Sequence, residues 1–186
     1  MIRVVFIMII FSLMVSCAPA DEKGIVYIRQ HPNEYIATTV PYEETIEFTL
    51  TTEEIMNGLT KPMKITSDQQ TDVFLVEIKE DTNKINQEKE IALIVGFRYT
   101  YHSPEGSMIS LFRVNKDNTF STGLINLSAH NEMGESGDIE VGSGDFSHQD
   151  GFEQTVMYRF KEDELKKSKK WNFEINGLYV LNYEEK

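Results

Sequence analysis

The residues whose types could do chemistry are concentrated between 131 and 153, where acidic residues alternate with glycines. The acidic ones are Glu132, Glu135, Asp138, Glu140, Asp145, Asp150 and Glu153. Calcium binds about six to eight oxygen atoms, mostly from carboxylates and carbonyls, and the glycines allow the tight turns that such a site needs. The composition suits a calcium site, whose candidate ligands are Asp138, Glu140, Asp145 and Asp150.

The spacing of this segment departs from the EF-hand calcium loop. With Asp145 at position one, Asp150 replaces the glycine of position six and Val156 replaces the glutamate of position twelve. A solvated loop with repelling charges accounts for the pattern better than a calcium site does, and a loop that contacts a partner is a third interpretation. Calcium therefore stays open as a cofactor, and no other cofactor is predicted.

A second pattern in the same segment concerns serine catalysis. Gly134-Glu135-Ser136-Gly137 resembles the nucleophile loop of chymotrypsin-like proteases, and Ala129-His130 is loosely similar to their histidine segment. The resemblance ends at Asp138, where that family has a further glycine, and its histidine comes from a distant strand. The sequence therefore predicts no catalytic residue, although carboxylates of 132–153 could serve a polymer hydrolase.

Aromatic residues offer a different chemistry, a flat surface for a peptide or a sugar. Tyr99 and Tyr101 share one face of a predicted strand, and Trp171 is the only tryptophan. Such side chains pack in a core or on a sheet face more often than they bind ligands. We treat Tyr99, Tyr101 and Trp171 as candidate ligand or partner contacts, with core packing as the commoner outcome.

The elements that must position these residues are mostly predicted strands. Alternating apolar residues predict strands at 45–50, 73–78 and 154–160, the second with Phe74, Val76 and Ile78 on its buried face. The apolar run 91–97 predicts a central strand, and the polar segment 79–90 before it a long hairpin loop. Further strands are predicted at 25–28, 108–114, 119–127, 139–141, 171–175 and 178–183.

Two short helices and one tight hairpin complete the prediction. Thr51 and Glu54 match a capping box, which predicts a helix that ends near Leu59. The segment 162–170 is acidic first and basic last, which complements a helix dipole, although its lysines could also contact anionic lipid. Asn176-Gly177 between two apolar runs predicts a two-residue hairpin.

This pattern predicts an all-β fold, because no strand–helix–strand rhythm is present. An antiparallel β-sandwich of immunoglobulin-like or related topology is the first choice, and a β-barrel is the second. The predicted organisation is a signal peptide at 1–16, a tether at 17–24 and one sandwich domain at 25–186.

The first twenty residues have the layout of a secretory signal. Arg3 precedes an apolar run, Val4 to Val15, that is shorter than the roughly 20 residues needed to span a bilayer. Leu13-Met14-Val15-Ser16-Cys17 resembles the lipobox of bacterial lipoproteins. The resemblance implies cleavage before Cys17 and attachment of a lipid, with fatty acyl chains such as palmitate, to that residue.

The cysteine count agrees with lipidation. Cys17 is the only cysteine, so the chain cannot form an intramolecular disulfide, and an exported protein with one unpaired cysteine needs a use for it. Two or three acyl chains would anchor the protein stably in a membrane. We therefore expect it on a bacterial cell membrane or outer membrane, facing away from the cytoplasm.

The charge limits the choice of partners. The chain carries a net charge of −12, which becomes −13 when Arg3 leaves with the signal. Nucleic acid is not an expected partner, since phosphate binding needs clustered Lys and Arg. We expect a non-enzymatic binding or accessory module that binds an envelope protein or a small ligand. The alternatives are an envelope polymer hydrolase that uses the 132–153 carboxylates and a calcium-ordered surface domain.

Overall fold

The computed structural model of the protein describes residues 23–82, 87–145 and 151–186. Its elements, in chain order, are α1 (Ile25–Gln30), β1 (Tyr35–Pro41), β2 (Ile46–Thr51), α2 (Thr52–Asn57), β3 (Met63–Asp68), β4 (Thr71–Thr82), β5 (Lys89–Tyr99), β6 (Glu105–Ser110), β7 (Phe112–Val114), β8 (Phe120–Thr122), β9 (Asn126–Asn131), β10 (Ile139–Asp145), β11 (Gln154–Lys161), α3 (Glu162–Leu165), β12 (Lys170–Asn176) and β13 (Tyr179–Glu185). No helix in these ranges is both long and apolar enough to cross a membrane.

The strands form antiparallel sheets that enclose a sandwich core. A five-stranded sheet has the order β10-β11-β5-β4-β3, and a three-stranded sheet has the order β2-β12-β9. Their apolar faces share what we call the main core, whose largest fully buried side chains include Phe97, Tyr158, Phe160, Trp171 and Phe173. The predicted all-β sandwich is confirmed, and none of the described sheets closes into a barrel.

Residue alternation predicted the sandwich strands well. Along β2 the buried and exposed residues alternate as expected, and β11 buries Val156, Tyr158 and Phe160 completely. Strand β5 is the middle strand of its sheet and is buried on both faces over 91–97. The capping box is also present, because Thr51 and Glu54 exchange both hydrogen bonds at the start of α2.

The buried face of β4 was predicted wrongly. Val73 and Leu75 are the fully buried residues, whereas Phe74 and Val76 lie on the opposite face. The register with β5 shifts between Leu75 and Glu77, and this bulge returns Ile78 to the main core. A bulge inserts one residue and so reverses the alternation, which sequence periodicity does not reveal.

A second core lies on the sheet with the order β1-β13-β6. It consists of Ile25, Ile28, Tyr35, Met108, Leu181 and Tyr183, and α1 contributes its first two members. The segment 25–28 is thus a helix, and its prediction as a strand was wrong. Ile25 and Ile28 are three residues apart, so a helical turn buries both, and Glu153 accepts a hydrogen bond from the first-turn amide of Val26 at 2.8 Å.

The predicted hairpin at Asn176-Gly177 is also wrong. Strand β12 pairs with β2 and β9, while β13 pairs with β1 and β6, so the two strands belong to different sheets. Strands β12 and β13 instead form one long strand that bends at this turn and passes from one sheet to the other. Residues 42–45 lie opposite the bend at 176–178. Gly177 has φ +74°, and a Cβ there would lie 2.3 Å from the Leu124 carbonyl oxygen. The glycine is needed for this close approach.

Side chains of the large sheet and of its β3–β4 turn protect the outer edge of β6. The amides of Ser107, Ile109 and Leu111 point away from β13 and donate to side-chain oxygens. Their acceptors are Gln70 Oε1 at 3.2 Å, Thr71 Oγ1 at 2.9 Å and Gln154 Oε1 at 3.1 Å. Thr71 and Gln154 are buried polar residues, and these bonds explain their burial. The same bonds join the second core to the sandwich.

Candidate functional site

Three tyrosines and one carboxylate surround the ammonium group of Lys23. Lys23 Nζ lies 5.6 Å from the ring centre of Tyr27, 5.9 Å from that of Tyr35 and 5.1 Å from that of Tyr101. Glu185 Oε1 accepts a hydrogen bond from the same ammonium at 3.3 Å. We call Tyr27, Tyr35, Tyr101 and Glu185 the tyrosine cage. Aromatic faces and a carboxylate are the groups that proteins use to hold organic cations.

Four separate parts of the chain bring the cage together. Tyr27 comes from α1 and Tyr35 from the start of β1, while Tyr101 follows β5 and Glu185 ends β13. The rings of Tyr27 and Tyr35 meet edge to face at 6.2 Å, and those of Tyr35 and Tyr101 meet at 6.4 Å. These edge contacts leave ring faces available for a cation.

Tyr183 supports the cage from behind. Its ring stacks on Tyr101 at 5.3 Å, and its hydroxyl accepts from the His102 amide at 3.0 Å. Behind it, Gln70 has an unfavourable φ of 53° for a residue with a side chain. The Gln70 side chain lies 2.8 Å from His102 Nδ1 and 3.2 Å from the Tyr183 hydroxyl, contacts that hold this turn in place.

The hydrogen bonds of Glu185 keep it ionised. Tyr101 donates its hydroxyl to Oε1, and Ser103 donates its hydroxyl to Oε2 at 3.1 Å. These two donors, together with the Lys23 ammonium, lower the pKa of Glu185 below its usual range. The side chains of Tyr35 and Glu185 in turn raise the pKa of Lys23. At neutral pH the cage therefore pairs a carboxylate with an ammonium.

The cage opens onto solvent. A cavity of about 350 Å³ beside it is lined by Lys23, Asn33, Glu34, Tyr35, Glu185 and Lys186. The Lys23 side chain is 39% exposed, although it makes three ring contacts. Solvent therefore reaches the Lys23 ammonium without the opening of either core.

The three aromatic residues predicted as contacts are not brought together. Trp171 is only 2% exposed in the main core and donates its indole N–H to the Leu165 carbonyl at 3.2 Å. The Tyr99 hydroxyl donates to Gln154 Oε1 at 2.7 Å, and burial raises the pKa of Tyr99. Tyr101 alone belongs to the cage. The core interpretation thus describes Trp171 and Tyr99 better.

The predicted calcium ligands are dispersed as far as the structure describes them. Arg29 binds Asp145 through both carboxylate oxygens, at 2.7 and 2.9 Å. Glu140 lies on the opposite face of β10 from Asp145, since side chains alternate along a strand. Within the described ranges, no three acidic, histidine or cysteine side chains are grouped to hold a metal ion. Asp138, Glu140 and Asp145 therefore do not form a calcium site by themselves. Asp150 and Cys17 lie outside the described residues.

Ser136 and His130 do approach each other. They form an isolated antiparallel bridge, and Ser136 Oγ lies 3.4 Å from His130 Nδ1. This distance is long for a hydrogen bond to a hydroxyl, and the contact is exposed to solvent. A serine nucleophile works in a site that also orients the histidine and stabilises an oxyanion. The pair therefore adds no support to serine catalysis.

The basic segment 166–170 lies at the other end of the sheet from the cage. Lys161, just before α3, pairs with Glu90 near the start of β5, whereas Tyr101 follows the end of β5. Lys166 and Lys167 form ion pairs with Glu162 and Glu164 of α3. The lysines thus pair with acidic side chains of α3, which has four residues and no basic residue in its last turn, so the predicted complement to a helix dipole over 162–170 is not formed.

Sequence reasoning found one residue of the cage and missed the rest. A signal was present in the spacing of Tyr27 and His31, which are four residues apart, as neighbours on a helix are, and whose rings stack at 4.0 Å. The prediction of 25–28 as a strand concealed that spacing. The contacts to Tyr35, Tyr101 and Glu185 join distant parts of the chain, and periodicity carries no information about them.

The comparisons with known proteins give no family for this chain. No protein-family model matches the sequence, no curated protein is significantly similar to it, and no solved structure matches its fold. The functional argument therefore depends on the sequence and the geometry alone.

Proposed function

We propose that this protein is a bacterial lipoprotein, anchored through Cys17 on the outer side of a cell membrane, that works by binding. The observation that carries the proposal is the tyrosine cage around Lys23, because it is a recognition geometry for a cation with no bond-making group in it. The lipobox-like sequence before Cys17 supports the anchor.

The position of Lys23 links the cage to the anchor. Lys23 is the sixth residue after Cys17, so a fully extended connection spans at most about 20 Å. The cage therefore stays near the bilayer surface when the lipid is inserted.

The start of β5 lies far from the cage. Ten residues separate Tyr99, next to the cage, from Lys89, which corresponds to about 33 Å at the rise of a strand. The start of β5 and α3 thus lie at the end of the domain away from the cage. A partner that binds at the cage therefore approaches the end of the domain that carries the anchor.

Crosslinking in native membranes tests the proposal. The full chain is expressed in its bacterial host, crosslinked and purified, and the captured proteins are identified by mass spectrometry. We expect intact-mass evidence for acyl chains on Cys17 and one dominant envelope protein. The Cys17→Ser variant, which cannot be lipidated, should carry no acyl chains and should capture no dominant envelope protein.

Two results would overturn the proposal. One is an unmodified Cys17 in protein purified from membranes. The other is a lipidated chain that reproducibly captures nothing at the surface but turns over a wall polymer, with activity lost in Asp145→Asn.

A further inference from the structure

We infer that the tyrosine cage is a binding site for a lysine side chain of a partner protein, and that Lys23 occupies it in the free molecule. The inference rests on the proposed binding function and adds the chemical class of the ligand. Lys23 shows directly what the cage accepts, a primary ammonium at the end of a flexible side chain.

The hydrogen bond to Glu185 distinguishes a primary ammonium from a quaternary one. Ring faces attract any organic cation, but only an N–H group can donate to the carboxylate. Glu185 holds its position through Tyr101 and Ser103, so its acceptor atom remains directed at the occupant. A trimethylated amine would keep the ring contacts and lose this bond.

Lys23 can leave the cage without disturbing the fold. It precedes α1, and the next residue, Gly24, packs against Glu153, where a Cβ would come within 1.6 Å of the carboxylate. The backbone is thus held at Gly24 while the lysine side chain remains 39% exposed. Rotation of one side chain exposes the site.

Charge favours a basic protein over a lipid surface as the source of the ammonium. The processed chain carries a net charge of −13, which attracts a lysine-rich partner and repels an anionic leaflet. Glu34 adds a second carboxylate at the mouth of the cavity. An ethanolamine headgroup offers the same primary ammonium, and the test below separates the two sources.

An internal occupant weakens the binding of an external one by a predictable factor. The apparent dissociation constant equals the intrinsic one divided by the fraction of molecules with an empty cage. If Lys23 fills the cage in about nine molecules of ten, its removal tightens external binding about tenfold.

The experiment uses the full chain in a nonionic detergent and Nα-acetyl-lysine methylamide as the probe. Binding is followed by NMR through the backbone amides of His102 and Glu185. We expect Lys23→Ala to bind the probe about tenfold more tightly than the unchanged protein. Lys116→Ala removes the same charge from an exposed lysine that does not line the cavity and should bind like the unchanged protein. The Nε-trimethyl probe should bind Lys23→Ala more weakly than the primary amine.

A carboxylate variant and vesicles complete the test. In Lys23→Ala with Glu185→Gln, binding of the primary amine should fall to the level of the trimethyl probe. The inference is overturned if Lys23→Ala binds the primary-amine probe no better than the unchanged protein does. It is equally overturned if adding Glu185→Gln to Lys23→Ala leaves the binding of that probe unchanged. It is also overturned if Lys23→Ala binds phosphatidylethanolamine vesicles but not the lysine probe.

The result is independent of the anchor. The probe is a small molecule in detergent solution, so a chain without lipid would still report binding in the cage. Conversely, the lipidated chain could capture an envelope protein while Lys23→Ala does not bind the lysine probe. That result would overturn this inference and leave the proposed function standing.

Discussion

The main core and the second core are built from different kinds of side chain. The main core is filled by aliphatic and aromatic groups, and the ring of Phe173 contacts those of Phe48, Tyr158 and Phe160. The second core includes Tyr35 and Tyr183, whose rings are buried while their hydroxyls reach polar partners at the cage. Burial of apolar area stabilises the main core, whereas hydrogen bonds determine the shape of the second core. The difference explains why polar groups and ring faces meet at the cage, beside the second core.

The largest expected effect is the removal of a ring from the main core. Phe173→Ala deletes a fully buried side chain that stacks on Phe48 at 4.7 Å and meets two further rings. We expect a loss of about 3–5 kcal/mol in the free energy of unfolding, measured by urea denaturation. Val40→Ala, at a site that is 48% exposed, should cost about 0.5 kcal/mol or less. Similar losses in the two variants would contradict this account of the core.

The next effect concerns the junction between the two cores. Gln154→Met keeps the approximate volume of a fully buried side chain but removes the oxygen that accepts from Tyr99 and Leu111. Two buried donors then lack a partner, and we expect a loss of about 2–4 kcal/mol in the same measurement. The double variant Gln154→Met with Tyr99→Phe should recover part of the loss, because it also removes one of the two donors. No recovery would show that the hydroxyl is satisfied elsewhere.

A smaller effect is expected from a single hydroxyl in the second core. Tyr183→Phe keeps the ring that stacks on Tyr101 and removes the bond from the His102 amide. We expect a loss of about 1–2 kcal/mol, together with faster hydrogen exchange at the His102 amide. Phe160→Leu is the matched change in the main core, where shape alone should decide the cost. An unchanged exchange rate at His102 would count against the role of Tyr183 in positioning the cage.

This comparison also shows which parts of the fold the sequence could predict. Alternation identified β2 and β11 because one face of each strand meets the main core and the other does not. The capping box at Thr51 was predicted correctly because its hydrogen bonds join residues that are neighbours in the chain. Local patterns are informative where a structure is determined by local contacts or by one simple partition between core and solvent.

The failures all involve contacts between distant residues. Asn176-Gly177 has the sequence of a hairpin, but pairing with β1 and β2 on one side draws it into a bend between sheets. The IVYI segment has the β-branched residues of a strand, yet Ile25 and Ile28 become helical because both can be buried over β13. Tertiary burial outweighs propensity in such short segments.

The candidate site was less predictable than the fold. The acidic segment 131–153 attracted attention because its residues are close in sequence, whereas the cage assembles from residues as far apart as Lys23 and Glu185. The sequence could identify Tyr101 as a candidate contact but not its neighbours. The cage depends on loop ends and strand ends that meet, which only the folded structure brings together.

The final prediction concerns the pH dependence of the contact between Lys23 and the cage. The pKa of Glu185 lies below its ordinary value of 4.5, because Tyr101, Ser103 and Lys23 stabilise the carboxylate. The contact is therefore at full strength above pH 4.5 and weakens as the pH falls through the lowered pKa. The raised pKa of Lys23 means that the ammonium is lost only at a pH above its ordinary 10.5. Other titratable groups around the carboxylate are Glu34, Tyr35, Tyr101, Tyr183 and Lys186.

Hydrogen exchange over residues 23–30 measures this effect without unfolding the main core. Between pH 7 and pH 3, and after correction for intrinsic rates, we expect α1 to lose protection earlier than β11. Glu185→Gln cannot ionise, so its α1 should be less protected at pH 7 and should show a shallower pH dependence. Glu34→Gln, which changes a carboxylate on the other side of the cavity, should retain the steep response. Equal profiles for Glu185→Gln and the unchanged protein would mean that the ring contacts hold Lys23 without the carboxylate. The cage would then no longer discriminate between primary and quaternary ammonium groups.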